Sequence, residues 1–241
     1  MGLERIRDEL KPRAADHTTT VAKGILGALP FVGSMLAEVV GQVIPQQRMD
    51  RIVDVLGRLE ARLSEVERTK LVMDLPGNPE AVDLLEEGMI QATRAVSDER
   101  REHVAALMKS TLTDSQLSHI ERRKLWSVLE SLNDVELLIL QAKGLEHSEQ
   151  EREFLERHKA TLLRPPVMMG SSEQEMDQGA LHETYRQHLR DLGLVRPQYH
   201  HIKRGELPEF DEGTGRMKAS GDSLTRLGRL VLRSLGLPTR Y

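Results

Sequence analysis

Nine histidines and a group of carboxylates are the residues of this 241-residue chain best suited to chemistry, and their spacing decides what they could do. His182 with His188, and the adjacent His200 and His201, come nearest to a metal-ligating cluster. Two imidazoles on one helix converge on an ion when three residues separate them, with a carboxylate or a third imidazole completing the set. Neither pair has that spacing, and no cysteine is present to supply a thiolate. No metal or cofactor is therefore expected, and the histidines read as surface residues. Glu206, Glu209, Asp211 and Glu212 form an acidic group that could hold a divalent cation. Solvated turn residues are the simpler reading, and their charge would repel phosphate.

Glycine spacing offers no phosphate cradle. Gly24-Ile25-Leu26-Gly27 lies in an apolar segment and Gly213-Thr214-Gly215 in what reads as a hairpin turn, whereas a phosphate loop joins a strand to a helix and carries a lysine. The first of these resembles the backbone clamp of KH domains in spacing alone, because it has Ile and Leu where that loop wants basic residues. Arg152 and His158 have the Arg-x5-His spacing that resembles the motif of HEPN ribonucleases, in which such residues from two protomers act on RNA. Here the match is only that spacing inside a charged stretch. No catalytic residue is expected.

The elements that would position these groups are helical. With three Phe, three Tyr and one Trp, the core must be built from Leu, Val, Ile, Met and Ala, which suits helix-on-helix packing. A chain that is 39% hydrophobic and 30% charged is that of a folded protein, long enough for two modest domains. Arg5, Arg7, Lys11 and Arg13 alternate with Glu4, Asp8, Glu9 and Asp16, unlike the basic flank of a signal peptide, and the lack of cysteine fits a reducing compartment. A cytoplasmic location is expected, with membrane association on activation. Residues 1–45 carry five bases and five acids and residues 199–241 eight bases and five acids, so the middle holds −7 of a net −4. That excludes the strong positive field of a dedicated nucleic-acid binder, although a modestly basic C-terminal tip could touch phosphate.

Leu3, Ile6 and Leu10 predict a short amphipathic helix broken by Pro12. Gly24 to Ala37 are 14 residues without a charge, between Lys23 and Glu38. That is too short for a simple membrane span, which needs about 20 apolar residues. Pro30 divides the segment from Val21 to Pro45 into two helices. The second, from about Phe31 to Ile44, carries apolar pairs at Met35/Leu36, Val39/Val40 and Val43/Ile44 and a small face at Gly33, Ala37 and Gly41. The prediction is an apolar helical hairpin packed closely within a bundle, with membrane insertion after rearrangement and partner binding as the alternatives.

Residues 46–132 read as an all-helical domain. Met49, Ile52, Leu56, Leu59, Leu63 and Val66 alternate steps of three and four, predicting one long helix from Arg48 to about Lys70 with a heptad seam. That seam would pack within a bundle or form a homo-oligomer. Asn78-Pro79 predicts a capped helix to about Ala95, Ser97 another, and Ser118 with Glu121 a capping box before a third.

In residues 133–241, Asn133 predicts a helix to Gly144, and Ser148-Glu149-Gln150-Glu151 a capping box opening a helix to about Leu163. A polar loop to Gln178 would lead into a helix ending in Leu189 to Val195. Short strands at Tyr199–Lys203 and about Arg216–Ala219, and a last helix from Leu224-Thr225-Arg226-Leu227-Gly228, follow. The predicted fold is mainly α: an N-terminal apolar hairpin (1–45), a helical bundle (46–132) and a winged-helix-like domain with a small β-hairpin (133–241). The helix before the hairpin, with Glu183, Arg186, His188, Arg190 and Asp191, is mixed in charge; its Arg186 and Arg190, with Lys203 of the hairpin, are the candidate nucleic-acid contacts of the domain.

The order of these elements resembles bacterial abortive-infection alpha proteins. A Gly/Pro-rich apolar start and a charged helix lead to Leu84-Leu85-Glu86-Glu87, Asp98-Glu99-Arg100-Arg101-Glu102-His103, Leu107-Met108 and Leu129-Glu130-Ser131-Leu132-Asn133. Leu189 to Val195 and Leu224 to Gly228 are similar to that family's C-terminal pattern. The resemblance implies a role in anti-phage defence with no catalytic residues to carry over; the apolar hairpin and the heptad seam separately predict a protein partner or a homo-oligomer. A winged-helix regulator that binds nucleic acid, and a nuclease, are the rival expectations.

Overall fold

Ser64 breaks the heptad helix in two. Its hydroxyl accepts a hydrogen bond from the Glu67 amide, and the Glu67 carboxylate accepts one from the Ser64 amide at 2.8 Å, a reciprocal capping box that starts a new helix. The computed structural model describes residues 46–146, 148–163, 168, 170–199, 207–210, 215 and 217–239. The apolar segment with Gly33, Met35, Leu36, Ala37, Val39, Val40, Gly41, Val43 and Ile44 lies outside them, as do the opening helix, His200, His201, Lys203, Glu206, Asp211 and Glu212. In place of one helix from 48 to 70 there are α1 (Gln46–Arg62) and α2 (Glu65–Asp74). Ile52, Leu56 and Leu59 are buried on α1 and Met49 and Leu63 half-buried, but Val66, beyond the break, is 79% exposed. The seam ends with α1 because a local hydrogen-bonding device outweighs a hydrophobic repeat.

A 3₁₀ turn (Leu75–Gly77) precedes α3 (Pro79–Arg94), which Asn78 caps by accepting from the Ala81 amide. Ser97 caps α4 (Asp98–Thr113), and Ser118 with Glu121 boxes the start of α5 (His119–Ser131). These starts fall where the sequence places them, since each cap is complete within four residues.

The chain divides into two units between Ser127 and Val128, inside α5. In the first, α1, α3 and α4 pack on one another and bury Ile52, Leu84, Leu85, Met89, Leu107 and Met108. Along the α1–α4 seam Arg58 reaches Asp54, Asp98 at 2.7 Å and Glu102 at 2.9 Å; Arg62 also meets Glu102, and Arg101 meets Asp54 and Asp98. Burial opposes ionisation of Glu102, but hydrogen bonds from Arg58 and Arg62 override it and hold its carboxyl below the usual range. Arg101 and then Arg58 do the same for Asp98.

The second unit is built around α6 (Asp134–Leu145), which packs against α7 (Glu151–Arg157), α8 (Lys159–Leu162), α9 (Glu173–Asp191), strand β2 (Ala219–Leu224) and α10 (Arg226–Ser234). Asn133 forms the expected cap of α6. Ser148 does not cap α7: Gln150 stands at that position without a side-chain bond, and the Ser148 hydroxyl has no partner among the described residues. The helix predicted to run to Leu163 is interrupted at His158, whose φ of −105° and ψ of 16° leave the helical region. The polar stretch before Gln178 is not a loop throughout, because Ser172 and Glu175 form a capping box that starts α9 at Glu173.

The strand predicted at Tyr199–Lys203 lies, Tyr199 apart, outside the described residues, and the described strands are placed differently from the predicted pair. Gly193, at φ +70°, turns the chain out of α9, a conformation that favours glycine. Strand β1 (Val195–Tyr199) therefore begins where the helix was expected to continue. It pairs antiparallel with β2, Val195 opposite Leu224 and Pro197 opposite Asp222, with an irregularity at Gln198/Tyr199. Of the second predicted strand, Met217 and Lys218 precede β2 and Ala219 opens it, and Met217 makes an isolated bridge to Phe210. The described residues are thus mainly helical, with ten α-helices and one two-stranded antiparallel sheet. No described helix is long and apolar enough to cross a membrane.

Two outcomes are expected. A Cβ on Gly228 would lie 2.3 Å from the Leu194 carbonyl oxygen, a backbone atom that cannot swing away. Gly228→Ala should therefore destabilise the second unit by about 2 kcal/mol, read as a lowered denaturation midpoint. The depressed carboxyls of Glu102 and Asp98 contribute stability that is present above about pH 4, their unfolded range, and lost as pH falls through their folded values. The urea midpoint of the first unit should drop between pH 5 and pH 3, and by less in Arg58→Met, whose carboxyls are no longer held down.

Candidate functional site

Glu136 stands at the third position of α6, where a carboxylate completes the Asn133 capping box: the Asn133 amide donates to its Oε2 at 2.9 Å. Its Oε1 lies 2.8 Å from His188 Nδ1 on α9, and the Glu136 side chain is buried. An imidazole oriented by a buried carboxylate is the arrangement a general base uses, provided a nucleophile lies within reach. Thr184, one turn before His188, instead donates its hydroxyl to the Ala180 carbonyl. Both Glu136 oxygens are engaged, so the pair joins two helices instead of offering a ligand set. No group of three or more His, Asp or Glu among the described residues could hold a metal ion.

The remaining chemical candidates are also engaged in structure. His182 is buried with Nε2 3.1 Å from the Leu162 carbonyl, which makes Nε2 the donor. His158 tilts against Phe154 with ring centroids 4.6 Å apart. Arg152 is exposed on α7; six residues of helix turn it about 120° from the His158 position, so the two do not share a face. His119 meets Asp83 at 2.7 Å, and Arg123 meets Glu87 at 2.7 Å, joining α5 to α3.

The candidate nucleic-acid contacts fare differently from one another. Arg190 makes a bidentate pair with the buried Asp222 of β2, at 2.7 and 3.0 Å. Hydrogen bonding to Asp222 raises the already high guanidinium pKa against the opposing effect of burial. Arg186 is half-buried, and Lys203 lies outside the described residues. Helix α9 carries Glu173, Glu175, Asp177, Glu183 and Asp191 against Arg186 and Arg190, so it is acidic where a groove-reading helix would be basic.

Two groups on the surface of the second unit contrast in chemistry. The β1–β2 ribbon and its connection present Tyr199, Leu207 and Phe210 at 45%, 91% and 60% exposure. The opposite chemistry is on α10 and β1: Arg226, Arg229 and Arg233 lie on one face of α10, with Arg196 on β1. The i, i+3, i+7 spacing of these arginines is legible in the sequence, but only the tertiary structure shows which arginines elsewhere are neutralised. Compared with protein-family models, with curated proteins and with solved structures, the chain matches none.

If Arg190–Asp222 is the clasp that holds the ribbon to α9, removing one partner strands the other. Asp222→Ala should lower stability by about 2 kcal/mol, a value kept below the fully buried case because Arg190 retains some contact with water. Chemical denaturation of the variant, set against Arg186→Ala as a near-neutral comparison, checks it.

Proposed function

We propose that this chain is a non-enzymatic bacterial anti-phage defence or stress protein that acts by contact. Its N-terminal apolar segment, residues 21–45, engages a membrane or a protein partner when released. The C-terminal unit serves as a winged-helix-like docking or sensing module. The observation that carries the reading is how the side chains of the described residues are used. Imidazoles and carboxylates such as Glu136–His188 and Asp83–His119 are paired within the fold, while Tyr199 at the end of β1 and Leu207 and Phe210 in the connection between the strands are exposed. Exposed aromatic and large apolar side chains grouped on one projection are typical of contact surfaces.

Further support comes from element order. Helical stretches α6, α7 with α8, and α9, then a two-stranded ribbon and a closing helix, follow the winged-helix sequence of elements. That order serves protein interaction as well as nucleic-acid binding, and the acidic α9 favours the former. The charge-free run from Gly24 to Ala37 and the resemblance to abortive-infection alpha proteins supply the rest.

Deletion of residues 1–45 is expected to abolish growth inhibition on overexpression and to release the protein from membrane or partner fractions. Growth curves and fractionation of the full-length and truncated chains read this out, and a truncated chain that stays toxic and stays bound would refute the proposal.

A further inference from the structure

Among the described residues, no carboxylate lies against the arginine stripe of α10. Elsewhere Arg58, Arg62, Arg101, Arg123 and Arg190 each meet an acid. Arg226 and Arg233 are exposed, and among the described residues no ion pair engages them. Arg229 donates to the Leu224 carbonyl at 3.3 Å, and Arg196 to the Ser223 hydroxyl at 3.4 Å, so both guanidinium groups gather at the junction of β2 and α10. Strand alternation sets the direction: Asp222 turns inward to Arg190, whereas Ser223 and its cross-strand partner Arg196 project from the other face. The Arg190–Asp222 contact with α9 therefore lies on the opposite face of the ribbon from Arg196.

We propose that Arg196, Arg226, Arg229 and Arg233 form a contact surface for the phosphodiester backbone of nucleic acid. Arg226 and Arg233 are seven residues apart, about 10 Å along the helix, a length over which a duplex presents about six phosphate charges. The guanidinium fork matches a phosphate bidentately, and the stripe holds no lysine. Such contacts position a strand without reading its sequence. An anionic membrane fits less well, because the apolar side of α10, Val231 and Leu232, is buried inside the unit and leaves no face for insertion. The inference does not rest on the contact function proposed for residues 21–45.

The test uses the full chain with a labelled 30-base-pair DNA duplex, a single-stranded RNA of equal length, and vesicles rich in phosphatidylglycerol. Anisotropy titrations across a salt series should show duplex affinity falling with a log–log slope of about −3 to −4, near −0.9 for each phosphate contacted. Arg226→Gln with Arg233→Gln should make that slope shallower by about 2 and weaken binding roughly tenfold or more at moderate salt. Lys124→Gln, exposed on α5, should leave both unchanged. Stripe-dependent binding of the duplex or of the RNA supports the proposal, and the two arms tell which backbone is preferred. Binding to vesicles alone, binding that the double variant leaves intact, or no binding to either nucleic acid overturns it. Since truncation of residues 1–45 does not enter this assay, its failure is separate from failure of the proposed contact function.

Discussion

A carboxylate buried as deeply as that of Glu136 must have its charge and both its oxygens satisfied, and the second unit is arranged around that requirement. One oxygen closes the cap of α6, the helix on which most of the unit packs; the other takes His188 and so sets α9 against α6. With α9 in place, Arg190 is aimed at Asp222 and clasps β2. The ribbon then receives α10, whose Thr225 cap donates to the carbonyls of Gly193 and Leu194 and whose Gly228 allows the backbones to touch. Each step is a polar contact that would be costly to leave half made.

The first unit meets the same problem with more exposed charges. Arg58 stands among Asp54, Asp98 and Glu102, and the surrounding helices bury a core of Leu, Ile, Met and Val with a single Trp. Because these ionic groups neutralise one another locally, they stabilise the α1–α4 seam and leave little field for a ligand. Among the described residues of the second unit, Tyr199, Leu207, Phe210 and, on α10, Arg226 and Arg233 are exposed side chains that the fold does not consume. The two surfaces adjoin in sequence and differ in chemistry, which suits a module that docks on one class of surface while touching another.

Helix starts governed by side chains within four residues were legible in the sequence. Asn78, Ser97, Ser118 and Asn133 are caps where the pattern places them, since a cap depends on its own few amides and on little else. The same kind of signal at Ser64 and Ser172 is masked in the sequence, in one case by a heptad repeat that runs through it and in the other by the polarity of the stretch. Ser148 shows the converse: the residue types of a box were present, but the helix began three residues later with the hydroxyl left inside.

By itself the sequence determined that the protein would be mainly helical, because a chain so poor in aromatics buries its core most readily helix against helix, and it determined most helix starts, because capping is local. Only the tertiary structure decided which charges are spent and which are free. Arg190 and Arg226 look alike in sequence, yet one is bound to Asp222 across 32 residues and the other faces water. Pairings between residues that far apart depend on how strands and helices come to lie together, and no spacing along the chain encodes them.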